Sequence, residues 1–282
     1  MADPKVRMKL EIKRMRFALI SALLLCAIAR QTGAATITVT NTNDSGPGSL
    51  RQALANANNG ETINFAVTGT IALTSGGLQV IKNTTISGPG ADHLSIYASQ
   101  EWGPQATFHV VSGKTVTISG LTITVGGILN DEAILTVSNC VLSFNSIGLL
   151  NNAALNSGVI ASVTIINSLF GDNGEGIFNE SGPPLGSTRT LARDSTLIHK
   201  PADGGSGAGN CTACITISNS VVTSNTFGYR NWTDLTSTVT VLNSKFTDNS
   251  VEAILSYGNA EITVTNSTIS GNFVGIETNF AN

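Results

Sequence analysis

The feature that most constrains this chain is a short pattern that keeps returning. Leu135-Thr136-Val137-Ser138-Asn139 is one copy, and Val163-Thr164-Ile165-Ile166-Asn167 is the next. Ile215-Thr216-Ile217-Ser218-Asn219, Val239-Thr240-Val241-Leu242-Asn243 and Ile262-Thr263-Val264-Thr265-Asn266 follow. A weaker copy, Val116-Thr117-Ile118-Ser119-Gly120, ends in Gly. The Asn residues stand 28, 52, 24 and 23 positions apart. A second Asn comes six residues after each first one, at Asn145, Asn173, Asn225, Asn249 and Asn272. Self-similarity at a period of about 20–50 residues is the signature of a solenoid.

The pattern has a direct physical reading. In an extended strand the two apolar residues of each triplet point one way and the Thr between them points the other. The apolar pair fills a coil interior, and Thr faces solvent on every rung, where β-branching favours extended backbone. Asn tolerates the left-handed conformation, so Asn139, Asn167, Asn219, Asn243 and Asn266 turn the chain and can stack as an amide ladder. A second apolar position follows at Leu142, Phe170 and Phe246, then a third segment such as Ile147-Gly148-Leu149 or Val274-Gly275-Ile276. Three short strands per turn predict an all-β chain, a single-stranded right-handed parallel β-helix.

The start of the coil carries a capping signal. Ser49-x-x-Gln52 has the spacing of a capping box. It opens a short helix with Leu50, Ala53, Leu54 and Ala57 on one face, stopped by Asn58-Asn59-Gly60. Residues 36–66 therefore read as an N-terminal cap and first coil, and 67–282 as rungs. Residues 180–210 break the rhythm with Pro183-Pro184 and a Gly-rich run and read as an insertion, so the step of 52 reads as one or two turns plus an insertion.

Residues 1–35 read as a secretory leader. Six Lys or Arg lie between Lys5 and Arg16, an apolar stretch of 13 residues runs from Phe17 to Ala29, and Gly33, Ala34 and Ala35 follow. Without that segment, 8 basic and 16 acidic residues remain, a net charge of −8. This speaks against a nucleic-acid footprint or attachment to anionic lipid. The mature chain is expected at the cell surface or outside the cell, without membrane insertion. Cys140, Cys211 and Cys214 remain after cleavage; Cys211 and Cys214 are spaced for a local disulfide or two free thiols.

Certain residues also carry a family likeness. Ile37-Thr38-Val39-Thr40-Asn41-Thr42-Asn43-Asp44-Ser45-Gly46-Pro47-Gly48-Ser49-Leu50-Arg51-Gln52-Ala53-Leu54, with Gly60-Glu61-Thr62-Ile63-Asn64-Phe65, resembles the opening of bacterial secreted β-helix proteins of the pectate-lyase-like superfamily. Phe170-x-x-Asn173 and Phe246-x-x-Asn249 are similar to the short motif of polymorphic outer-membrane adhesins. The resemblance implies a β-helix scaffold, which hosts lyases, hydrolases, adhesins and inert spacers alike.

Candidate chemistry is sparse. Lyase chemistry would need stacked acids for Ca²⁺ and a cation to take a proton. Asp172 and Asp248 hold equivalent positions, but on rungs that are not adjacent. Asp172 with Glu175 is the nearest carboxylate pair for a hydrolase. Arg189, Arg193, Asp194, His199 and Lys200 form the densest cluster of reactive side chains, within the expected insertion. Tyr229 and Trp232 could make a small sugar platform. The expected function is a non-catalytic cell-surface β-helix acting in adhesion, glycan contact or as a spacer, with no cofactor. The alternative is a polysaccharide lyase or hydrolase, the lyase with Ca²⁺. The expected partner is a polysaccharide or a host or cell-surface glycan.

Overall fold

The computed structural model describes residues 35–98, 106–153, 160–173, 175–181, 187–193, 196–199, 213–223, 227–231, 237–257 and 260–279. The leader expected over 1–35 lies outside them but for Ala35. The described strands form three stacked walls, here called sheets A, B and C. Sheet A has ten strands, sheet B has nine, and sheet C is formed by one group of five and another of three. The described turns from Glu61 to Ser181 visit them in order. Ile134–Ser138 lies in A, Val141–Ser143 in B and Ile147–Ala153 in C. The next rung repeats this with Ile160–Ile166, Leu169–Asn173 and Glu175–Ser181. All described pairings are parallel, and they keep register, as in Thr117↔Thr136↔Thr164, apart from a shift between Phe170 and Asn173. This is a parallel β-solenoid.

The period of two in the triplets does what the sequence predicts. Leu135, Val137, Ile165, Val239 and Val241 are fully buried, while the Thr between each pair is half-exposed. Sheet B stacks Leu142 on Phe170 and Val222 on Phe246, all at 0% exposure. Each such side chain contributes about 1.5–3 kcal/mol through burial. The core is thus a continuous column, each layer supplied by one rung.

The bend from A to B is made by a single left-handed residue. Asn139, Asn167, Asn219, Asn243 and Asn266 have φ of 52°, 47°, 49°, 48° and 49°, and Gly120 has 63°. Their side chains face solvent, with the Asn167 amide donating to Asn139 Oδ1 at 2.6 Å and Asn243 to Asn219 at 3.3 Å. The residue after each bend points inward and builds a second ladder. Ser168 Oγ accepts the Cys140 N–H at 3.2 Å, Ser244 Oγ that of Ser220 at 3.1 Å, and Ser267 Oγ that of Ser244 at 3.0 Å.

Helix α1 spans Leu50–Asn56 and buries Leu50, Ala53 and Leu54. The Ser49 hydroxyl accepts the Gln52 N–H at 3.2 Å. The reciprocal half of the capping box is not made, because the Gln52 side chain donates to Asn56 Oδ1 at 2.8 Å instead. Asp44 clamps the helix to the following coil. Its carboxylate accepts Arg51 Nη2 at 2.7 Å and the backbone N–H groups of Thr74 and Ser75. Arg51 in turn donates to Gly76 O at 2.6 Å and Gly77 O at 2.9 Å.

Strands fall within the bounds of the expected insertion. Ser187–Arg193 pairs in sheet A between Ile160–Ile166 and Ala213–Ser218, and Thr196–His199 joins sheet B. The step of 52 residues between Asn167 and Asn219 therefore holds a further rung. That rung is hard to read because Thr190 and Ala192 occupy registers where the preceding rung carries Val163 and Ile165.

Candidate functional site

The outer face of sheet C gathers the most varied polar side chains. It is built from Phe108–Val110, Ile128–Asp131 and Ile147–Ala153. Alternation sends Phe108, Val110, Ile128, Asn130, Leu149 and Asn151 into the core. His109, Leu129, Asp131, Leu150 and Asn152 are left on the outside. Asn152 Nδ2 donates to Asp131 Oδ1 at 2.9 Å, and His109 Nε2 lies 3.5 Å from Asp131 Oδ2. The His109 and Asp131 side chains are 15% and 33% exposed. His109 Nδ1 is buried without a partner. Beside them Ser112 Oγ donates to Glu132 Oε2 at 2.9 Å.

The register extends this patch. Asp131 pairs with Asn152, and Asn152 with Glu180; Gln79 pairs with His109, and His109 with Leu129. Polar positions thus recur on successive rungs about 4.8 Å apart. The floor is rigid, because Asn130 Nδ2 donates inward to Asn151 Oδ1 at 2.8 Å and to Ala133 O at 2.9 Å. Carboxylate, amide and imidazole together can accept and donate hydrogen bonds to a hydroxyl-rich ligand, with apolar Leu129 and Leu150 between them. Among the described residues, no group of three or more His, Cys, Asp and Glu is placed to hold a metal ion.

No known family profile matches the sequence, and no curated protein matches it. The structure is similar to pectate lyase Pel9A, with a TM-score of 0.51, 14% identity, and coverage of 88% of this chain and 78% of that one. It is also similar to a variant of the PL6 family alginate lyase AlyGC, with a TM-score of 0.55 and 13% identity, over 90% of this chain and 39% of that one. A second AlyGC structure gives 0.50 and 12%, over 88% and 40%. The chain shares the parallel β-helix fold of these lyases. At such identity the likeness concerns the fold alone, and the β-helix spans well under half of AlyGC.

The residues singled out in the sequence are spread around this β-helix. Asp172 lies at the end of a sheet B strand, and Glu175 opens a sheet C strand in register with Ile147. His199 pairs with Asn173, one residue from Asp172. Arg189 and Arg193 lie in sheet A, in register with Ser162 and Ile166. The two arginines and Glu175 therefore stand on different walls. Asp194, Lys200, Cys211 and Trp232 fall outside the described residues, and Cys214 lies in Ala213–Ser218.

One expectation is corrected. Tyr229 is only 9% exposed and packs in the core beside Ile254, so it offers no open platform. The residue just before the inward Asn is a left-handed bend-maker at Phe144, Asp248 and Gly271, with φ of 57°, 56° and 68°. An acid there suits left-handed backbone, which Asp tolerates. His109 and Asn152 carried no signal in the sequence, since neither belongs to the readable repeats.

Proposed function

We propose that this chain is an extracellular or cell-surface β-helix that contacts polysaccharide without cleaving it, in adhesion or as a spacer. The observation that carries this reading is the outer face of sheet C, where Asp131 bridges His109 and Asn152 across three rungs. Such a row offers donors and acceptors at a rung spacing of about 4.8 Å, with apolar side chains between for a sugar ring face. The leader pattern of residues 1–35 supports export. Among the described residues no helix is long and apolar enough to cross a membrane.

A second reading is a polysaccharide lyase, favoured by the names of the structural neighbours. In that reading Asp131 is the carboxylate of the patch and His109 the group that would take a proton. One experiment separates the two. The protein is screened on acidic and neutral polysaccharides with and without Ca²⁺, reading ultraviolet absorbance, reducing ends and pull-down. Retention without product, weakened in Asp131→Ala and His109→Ala, supports the binding reading. Product formation lost in His109→Ala or Arg193→Ala replaces it with the lyase. Neither retention nor product on any polysaccharide refutes both.

A further inference from the structure

The outward face of sheet A carries a feature that the other two walls lack. Its central column reads Thr36, Thr62, Thr85, Thr117, Thr136, Thr164 over six successive strands in unbroken register. It is interrupted at Leu191 and returns to Thr on each of the three strands beyond. A parallel column two residues on carries Ser87, Ser119 and Ser138 on consecutive strands. No charged residue stands in either column between Thr36 and Ile166. None of the six Thr hydroxyls is engaged with another group of the described protein.

β-propensity favours Thr on any exposed strand. That preference acts on all three walls, yet the matching columns elsewhere are mixed. Sheet B reads Ser95, Thr122, Val141, Leu169, and sheet C reads Gln79, His109, Leu129, Leu150. Propensity alone therefore leaves the uniformity of sheet A unexplained.

We propose that this face binds ice, through ordered water held on the Thr and Ser array. The column spacing is about 4.8 Å between rungs and about 6.6 Å between residues two apart on one strand. The result is a two-dimensional grid of hydroxyls, repeated like a crystal surface. β-branching restricts χ1, so hydroxyl and methyl positions are set before contact and little rotamer freedom is lost on binding. Hydroxyls hold water at grid points, while the methyl groups between them order the water around them. The two columns of the six-strand grid from Thr36 to Ile166 carry no charged residue, which suits a neutral lattice; Arg189 and Arg193 stand on sheet A only beyond it, and charged side chains there keep their own hydration shells. This role is independent of the polysaccharide reading, which concerns sheet C.

The test grows ice slowly from a solution of the labelled full chain and measures the fraction incorporated, alongside thermal hysteresis. Thr117→Tyr and Thr136→Tyr place bulk in the middle of the grid. Ser143→Tyr does the same on the half-exposed face of sheet B. Thermal melts confirm that all three remain folded. The expected result is incorporation and hysteresis for the native chain and Ser143→Tyr, with loss of both for the two sheet A variants. Exclusion of the native chain from ice overturns the proposal. So does equal incorporation of all variants, which would place ice contact elsewhere. If the native chain is excluded from ice but held on crystalline cellulose, and Thr117→Tyr and Thr136→Tyr release it, the grid serves a solid polysaccharide instead.

Discussion

Asn145 and Asn173 sit one above the other inside the coil, and a single oxygen joins them twice. Asn173 Oδ1 accepts the Asn145 backbone N–H at 3.0 Å and its side-chain amide at 2.8 Å. Asn173 Nδ2 donates to Leu142 O at 2.8 Å, and both residues are at most 3% exposed. Asn249 and Asn272 repeat the arrangement near the C-terminal end, with amide and oxygen 2.6 Å apart. Asn173→Ala strands a buried N–H and a buried carbonyl together. It should cost about 2–3 kcal/mol. A fall in melting temperature of roughly 5–10 °C is the readout.

The solvent-facing Asn row behaves differently. Asn167 is exposed, and its conformation matters more than its amide. Asn167→Gly should be close to neutral, whereas Asn167→Ala should cost about 1 kcal/mol for the left-handed backbone. Urea melts of the two variants distinguish the cases; equal destabilisation would show that the amide ladder dominates.

Cys140 occupies a position that Ser fills on later rungs, with Sγ 3.3 Å from Ser138 O. Burial pushes its thiol up to about 11, against an ordinary value of 9.0. The unfolded chain therefore loses this proton first as pH rises, and stability falls between about pH 9 and 11. Cys140→Ser should fold as well as the native chain at neutral pH. It should lose less stability over pH 9–11, measured as the difference between paired melts.

The Asp44 clamp has the opposite sign. Partial burial raises its carboxyl, but hydrogen bonds from Ser75 and Arg51 outweigh that and hold it well below the usual carboxylate range. A depressed carboxyl stabilises the fold above its ordinary value of 3.8 and loses that contribution as pH falls further. Asp44→Asn should melt lower at neutral pH and show a shallower loss of stability on acidification below about pH 4.

Gly127 is required by a close approach. Its φ is 59°, and a Cβ there would sit 2.0 Å from Ile147 O on the next rung. Gly127→Ala forces backbone apart and should cost about 2 kcal/mol or more. Gly60→Ala, also at positive φ but with open space around it, should cost only about 1 kcal/mol.

Much of the fold was legible in advance at particular residues. The triplets Leu135-Thr136-Val137 and Val239-Thr240-Val241 announced their buried and exposed sides, because side chains in a strand alternate strictly. Ser49 announced the helix, because its hydroxyl needs only the local N–H of Gln52. The rung at Ser187–Arg193 was not legible, since Thr190 and Ala192 lack the apolar alternation and their placement depends on pairing with neighbours.

Local geometry, then, is what the sequence by itself determined: the strand triplets, the left-handed Asn bends, the cap and the solenoid period. These rest on interactions within a few residues, repeated often enough to be seen. Only the tertiary structure decided which Asn row is buried, that Tyr229 is core, and that His109, Asp131 and Asn152 meet. Those residues are about 20 positions apart in the chain. One turn of the coil returns each to the same wall at a spacing of about 4.8 Å, and that proximity exists only once the rungs have stacked.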